Sequence, residues 1–109
     1  MKLNILGSEW DVEYRNADAD PQLKENDGYT DPSIRLIVIA NKRDDCEIQD
    51  FQCMQKENLR HEIIHAFLFE SGMGFNLEHC EFGHEETMID WLAIQFHKIL
   101  TAFKEADCL

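Results

Sequence analysis

The sequence predicts an α+β fold, in which a small sheet of about three strands precedes two long helices. Two observations support this order. Apolar residues alternate with polar ones in the first part of the chain, whereas they recur at helical spacing after residue 50. The length of 109 residues suits one domain with its own core but not two, so residues 1–109 are expected to form a single domain.

The strands are predicted between residues 3 and 40. The first two follow from apolar residues that alternate with polar ones around a break at Gly7-Ser8: Leu3, Ile5, Trp10, Val12 and Tyr14. Residues 16–27 are polar and rich in turn formers, so they predict an exposed loop. Residues 28–30 begin a further strand. The strongest strand signal is 33–40 (SIRLIVIA), whose centre is apolar on both faces, as expected inside a sheet or beneath a helix.

Two helices are predicted in the second half of the chain. The first runs from 51 to 71 and ends at Gly72 and Gly74, because glycine readily adopts the backbone conformation that terminates a helix. Its apolar side is predicted from residues that follow the helical period: Leu59, Ile63, Ile64, Phe67, Leu68 and Glu70. Residues 75–82 form a connection, and the last helix covers 85–105.

The composition excludes several classes of function. There are 22 acidic and 10 basic residues, and the net charge of -12 repels phosphate backbones, so nucleic acid is not an expected partner. Neither a signal peptide nor an apolar run of membrane-spanning length is recognised, so no membrane association is expected. The four cysteines form no C-x-x-C pair, which predicts reduced thiols in a cytoplasmic protein.

The first helix contains His61, Glu62 and His65 in the spacing His-Glu-x-x-His. Two histidines four residues apart lie on one face of a helix, so both imidazoles can reach one metal ion. Glu62 points to the side of that pair, where it can take a proton from water on the metal as the water attacks a carbonyl carbon. This pattern predicts a zinc peptidase with His61 and His65 as ligands and Glu62 as general base. The alternative is an ordinary helix whose histidines are solvated or bonded to carboxylates.

A catalytic zinc needs a third protein ligand and one open position. Glu86 and Asp90 lie four residues apart on the last helix. The first is suited to bind the ion, and the second to accept the outer N–H of a ligand histidine. Glu86 has another interpretation, since an acidic residue also stabilises the first turn of a helix. His84 is the alternative third ligand and His79 a weaker one, although both also fit exposed loop histidines.

These residues resemble the minimal gluzincins, the small phage- and prophage-associated zincins of the ImmA/IrrE-like type. In those families a short sheet precedes the His-Glu-x-x-His helix, and a second helix supplies the glutamate ligand, which implies Glu86 here. The stretch GYTDPSIRLIVIA (28–40) resembles their turn and strand before the active-site helix. By this likeness, a substrate peptide is expected to lie alongside SIRLIVIA as an added strand. Tyr29 and His79 are the nearest candidates to stabilise an oxyanion.

The leading prediction is a zinc metallopeptidase of narrow specificity that acts on a protein or peptide. A weaker likeness, to the SprT/Spartan family, depends on Gly83-His84 and implies His84 as third ligand in a protease that acts on DNA-bound protein. A further alternative is a non-catalytic zinc-binding phage or prophage module, in which Cys80 or His84 closes a four-ligand site. Imidazole and carboxylate ligands suit zinc but also iron, nickel or copper.

Overall fold

Four strands and two long helices make up the part of the chain that the structure, a computed structural model, describes, residues 1–72 and 84–105. Their bounds are β1 Lys2–Ile5, β2 Ser8–Arg15, β3 Gly28–Asp31, β4 Leu36–Ala40, α1 Phe51–Glu70 and α2 Glu86–Glu105. The predicted α+β order is confirmed, although the sheet has four strands rather than about three. The predicted connection 75–82 lies outside the described residues.

The sheet has the strand order β1-β2-β4-β3. β1 and β2 form an antiparallel hairpin, β4 runs parallel to β2, and β3 runs antiparallel to β4. The hairpin turns at Leu6 and Gly7, whose φ angles of 52° and 92° are those of the tight turns that suit the twist of paired strands. Among the described strands, this order leaves β3 at one edge of the sheet, and β4 is paired on both sides.

β4 is buried on both faces, as its apolar centre predicts. On one face, Ile37 and Ile39 pack in a core with Trp10, Val12 and α1 residue Ala66. The other face is covered by residues of the preceding segment: Ala17, Leu23 and Tyr29. The prediction that 16–27 is an exposed loop is therefore wrong in part. Leu23 is fully buried in a short 3-10 turn, because it covers apolar surface of β4 that lies opposite the helix.

The strand predicted over 33–40 begins only at Leu36. The side chain of Asp31 accepts a hydrogen bond from the backbone N–H of Ser33, which bends the chain into a turn. Arg35 then adopts a positive φ of 51°, so the extended conformation cannot start before the next residue. The local side-chain hydrogen bond thus outweighs the apolar character of Ile34, which is exposed.

α1 begins after Asp50, whose carboxylate accepts a hydrogen bond from the N–H of Cys53, and it ends before Gly72 with its φ of 88°. The face that packs on the sheet contains Leu59, Glu62, Ile63 and Ala66. Phe67 does not belong to this face and is 42% exposed, contrary to the predicted apolar stripe. With Ile64, Leu68 and residues of α2, it instead lines a groove between the helices.

α2 packs on α1 through Ile89 and Ala93, which are both fully buried. The guanidinium of Arg60 on α1 donates a hydrogen bond to the backbone carbonyl of Ala93, which fixes the helices relative to each other. The carboxylate of Glu85 accepts hydrogen bonds from the backbone N–H groups of Thr87 and Met88 and caps the start of α2. In the described part of the chain, neither helix is long and apolar enough to cross a membrane.

Candidate metal centre

The three predicted ligands come together where the start of α2 crosses the middle of α1. His61 and His65 lie one helical turn apart on α1, and Glu86 lies in the first turn of α2. One side-chain donor atom from each of these three residues lies within 4.8 Å of the others. The contact between the helices, which depends on Ile89 and Ala93, therefore brings the carboxylate to the two imidazoles.

The distances within this group suit a small tetrahedral ion. Nε2 of His61 lies 3.2 Å from Nε2 of His65. Oε2 of Glu86 lies 3.1 Å from Nε2 of His61, and Oε1 of Glu86 lies 3.3 Å from Nε2 of His65. Neighbouring ligands of a tetrahedral zinc with bonds of about 2.0–2.1 Å are separated by about 3.3 Å. The donor set and its spacing thus fit zinc without a large rearrangement.

The outer nitrogen of each histidine has a partner of its own. Nδ1 of His61 lies 2.6 Å from Oδ1 of Asp90, and Nδ1 of His65 lies 2.9 Å from Nδ1 of His84. A carboxylate accepts hydrogen bonds, so Nδ1–H of His61 donates to Asp90, and Nε2 is the nitrogen that faces Glu86. When Nδ1–H of His65 donates to Nδ1 of His84 in the same way, the Nε2 atoms of His61 and His65 and the carboxylate of Glu86 converge on one point. A cation stabilises such an arrangement.

Burial lowers the pKa of His65, since desolvation disfavours its charged form. The nearby imidazoles of His61 and His84 lower it further, whereas the carboxylate of Glu86 opposes the shift. His65 is therefore neutral at physiological pH, and only the neutral ring can use its lone pair as a metal ligand.

His84 lies beside the group rather than within it. Its ring lies edge to edge with that of His65, nearly parallel to it at an interplanar angle of 7°, and also contacts Phe69. It faces the outer nitrogen of His65, whereas Glu86 faces the inner one, so the position next to both Nε2 atoms belongs to Glu86. Nε2 of His84 is buried, and among the described residues it has no hydrogen-bond partner. The predicted alternative ligand is thus placed as a partner of His65.

Glu62 lies on the face of α1 that packs against the sheet, where it is 8% exposed. Its Oε2 accepts a 2.6 Å hydrogen bond from the hydroxyl of Thr30 on β3, and its Oε1 lies 4.0 Å from Nε2 of His61. Burial raises the pKa of Glu62, while the Thr30 hydrogen bond and His61 oppose that rise. Glu62 is therefore close to the three candidate ligands without belonging to their group.

A cleft of about 510 Å³ opens beside these residues. It is lined by the site itself and by residues of β3, of α1 and of the segments that precede β3 and α2: Asn26, Gly28, Tyr29, Thr30, Phe69 and His84. A second hollow of about 260 Å³ adjoins it on the side of Asp90 and includes Glu25 and Asp27. The acidic lining adds to the attraction for a cation.

The structure disagrees with two expected features of substrate binding, a peptide strand added to SIRLIVIA and an oxyanion donor at Tyr29. A peptide cannot add to SIRLIVIA, because β2 and β3 already pair with β4 over its length. Residues 28–31 of β3 instead form the edge beside the cleft. Tyr29 is a poor oxyanion donor because its hydroxyl donates to Asp20 at 2.7 Å, in a cluster on the other face of the sheet. His79 and Cys80 lie outside the described residues.

Sequence reasoning did not identify Thr30 and Gly28 as parts of the site. Both follow a turn and occupy alternate positions of a short strand, which is a common pattern without chemical meaning. The sequence did contain one signal: residues two apart on a strand point to the same face of the sheet, so Gly28 and Thr30 share a face. Only the packing of α1 on that face makes Glu62 their neighbour.

Comparisons of this chain with protein-family models, with curated proteins and with solved structures found no match. The resemblance to the minimal gluzincins and the weaker one to the SprT/Spartan family therefore stay predictions from the motif residues. Any functional conclusion depends on the geometry of the site itself.

Proposed function

We propose that this chain is a zinc-dependent metallopeptidase of narrow specificity, with His61, His65 and Glu86 as zinc ligands and Glu62 as general base. The observation that carries the proposal is the convergence of the three donor side chains at 3.1–3.3 Å, with a buried carboxylate oxygen 4.0 Å from Nε2 of His61. A cluster of His61, His65 and Glu86 that only stabilised the fold would not need the Glu62 carboxylate as a fourth group. A hydrolytic site does, because the attacking water must lose a proton.

Zinc at this position would act as a Lewis acid, polarising a substrate carbonyl and lowering the pKa of water to about 7. The chain's own groups supply the rest. Ionised Glu62 accepts a proton on Oε1 from the attacking water and returns it to the leaving amine. Asp90 and His84 hold the two imidazoles so that their Nε2 lone pairs stay directed at one point.

The edge of β3 offers a binding mode for an extended peptide. β3 is an edge strand among the described residues, and Gly28, Tyr29 and Thr30 line the cleft together with the candidate ligands, so a peptide that adds to β3 as a strand would run beside them. Main-chain pairing of this kind selects extended, unfolded segments. It supports a protein or peptide substrate of the kind that the minimal gluzincin resemblance implies.

The proposal is tested by metal analysis together with cleavage of a library of internally quenched peptides. We expect one zinc per chain after purification without chelators, and cleavage of a small subset of peptides. Glu62→Gln should retain zinc and lose at least a hundredfold in kcat, since a general base contributes about 10²–10⁴-fold. Glu57→Gln makes the same change on the same helix and should cleave like the wild type. A zinc-free protein, or full activity of Glu62→Gln, contradicts the proposal.

A second candidate is a non-catalytic zinc-binding module of phage or prophage type. It is favoured by one observation: within the described residues, the hydroxyl of Tyr29 is bonded to Asp20 and is not available to an oxyanion. This alternative predicts tight zinc binding by His61, His65 and Glu86 without turnover of any peptide. A SprT-like protease with His84 as third ligand is less supported, because His84 faces the outer nitrogen of His65.

We further propose that the protein works in the cytoplasm. Among the described residues, Cys46 and Cys53 form no disulfide, which agrees with a compartment where thioredoxin and glutathione keep cysteines reduced. Fractionation of the native host cells, with detection by antibody, tests this location.

A further inference from the structure

We propose that Thr30 is a positioning residue for Glu62: its hydroxyl holds one carboxylate oxygen against β3, so that the other faces the metal-binding group. The inference deepens the proposed peptidase function and rests on it for its catalytic meaning. The contact itself involves protein atoms alone and can be tested without turnover.

The geometry of the contact is specific. Oγ1 of Thr30 lies 2.6 Å from Oε2 of Glu62 and 3.1 Å from the backbone carbonyl oxygen of the same residue. The hydroxyl has a single proton and donates to one of these acceptors at a time. When Glu62 is ionised, its charge makes the carboxylate the stronger acceptor. The hydrogen bond therefore forms to Oε2 rather than to the backbone carbonyl oxygen.

The absence of a side chain at Gly28 of β3 leaves the space that the Glu62 side chain occupies. A Cβ atom at Gly28 would lie 3.3 Å from Cγ of Glu62 and 2.8 Å from the carbonyl oxygen of Val38. Gly28 and Thr30 point to the same face of the strand, so the first makes room for the Glu62 methylene groups and the second binds its end. The carboxyl group thus has little freedom to change its rotamer.

The hydrogen bond to Oε2 of Glu62 also limits where Oε1 of the same carboxylate can move. A free carboxylate one residue from His61 can rotate toward the ion and become a fourth ligand, which closes the position that a hydrolytic site keeps open. With Oε2 tied to Thr30, Oε1 stays 4.0 Å from Nε2 of His61. That separation keeps Glu62 at the distance of a base acting through water.

The first test uses crystal structures of the metal-free wild type and of two variants. Thr30→Val keeps the side-chain volume and removes the donor, whereas Thr30→Ser keeps the donor. We expect the residue-30 hydroxyl to bond Oε2 of Glu62 in the wild type and Thr30→Ser, and the carboxylate to rotate away from β3 in Thr30→Val. An unchanged Glu62 rotamer in Thr30→Val overturns the proposal.

The second test measures turnover of the quenched peptide library by the zinc-loaded proteins. Thr30→Val should lower kcat about 10- to 100-fold with KM within twofold of the wild type, and Thr30→Ser should restore it. Thr101→Val, which removes a hydroxyl bonded to the His97 carbonyl far along α2, should behave like the wild type. An unchanged kcat in Thr30→Val overturns the catalytic role. A wild type without turnover refutes the peptidase function, and the crystal structures still decide the Thr30 contact.

Discussion

Nδ1 of His61 lies 2.6 Å from Oδ1 of Asp90, across the contact between α1 and α2. The two residues are 29 positions apart in the chain, and the packing of two helices places them together. The hydrogen bond fixes which nitrogen of His61 faces Glu86. This relationship provides a first prediction about metal affinity.

Asp90→Ala should weaken zinc binding about 10- to 100-fold, because the His61 ring loses the partner that orients it. The dissociation constant is measured by competition with a fluorescent zinc chelator. Asp45→Ala removes an exposed carboxylate from the loop before α1 and serves as the control for the change in net charge. Equal affinities of the two variants would show that Asp90 does not support the site.

The positions of Glu86 and His84 predict different effects of their removal. Glu86→Ala should reduce zinc affinity far more than His84→Ala, because Glu86 contacts both inner nitrogens and His84 contacts one outer nitrogen. His84→Ala should still bind one zinc, with a loss of about tenfold. The same competition assay measures both variants. The reverse order of affinities would identify His84 as the third ligand and favour the SprT-like alternative.

Gly28→Ala should destabilise the protein by about 1–3 kcal/mol, the usual cost of overpacking a filled site. The added methyl would meet the backbone oxygen of Val38 at 2.8 Å, and a backbone atom in a paired strand cannot move aside cheaply. Urea denaturation of the metal-free proteins measures the free energy of unfolding. A change of less than 0.5 kcal/mol, on the order expected for a neutral surface substitution, would show that β3 adapts easily.

We expect Glu70, the last residue of α1, to make a pH-dependent contribution to the stability of the fold. Its carboxylate accepts hydrogen bonds from Arg35, Trp10 and Ser8, which hold its pKa below the ordinary value of 4.5. A carboxyl whose pKa is lower in the folded state stabilises the protein above its unfolded pKa and loses this contribution as the pH falls through the folded value.

Glu70→Gln should therefore be less stable than the wild type at pH 7, and the difference should shrink as the pH drops below about 4.5. Thermal unfolding of the metal-free proteins between pH 7 and about pH 3 follows this change. Glu9→Gln, at an exposed glutamate of β2, is the control. A difference that stays constant over this range would mean that the Glu70 charge does not stabilise the fold.

The elements and the histidine motif could be predicted because their signals are local. Helix α1 starts at the predicted Phe51 and ends one residue before the predicted Ser71, since a capping aspartate and a glycine act on their own neighbours. The start of β4 differs from the predicted one because a single hydrogen bond, from the backbone N–H of Ser33 to the carboxylate of Asp31, competes with an apolar pattern. The burial of Leu23 was missed because it depends on the face of β4 opposite α1, which is formed by residues distant in the chain.

The sequence by itself determined the spacing of His61, Glu62 and His65, because 3.6 residues per turn places the histidines on one face whatever surrounds the helix. It also determined that Glu86 and Asp90 share a face of the next helix. Only the tertiary structure decided that Glu86 meets the histidines while His84 lies behind one of them, and that Thr30 holds Glu62. Those contacts depend on how the helices and the sheet edge pack, which no local pattern encodes.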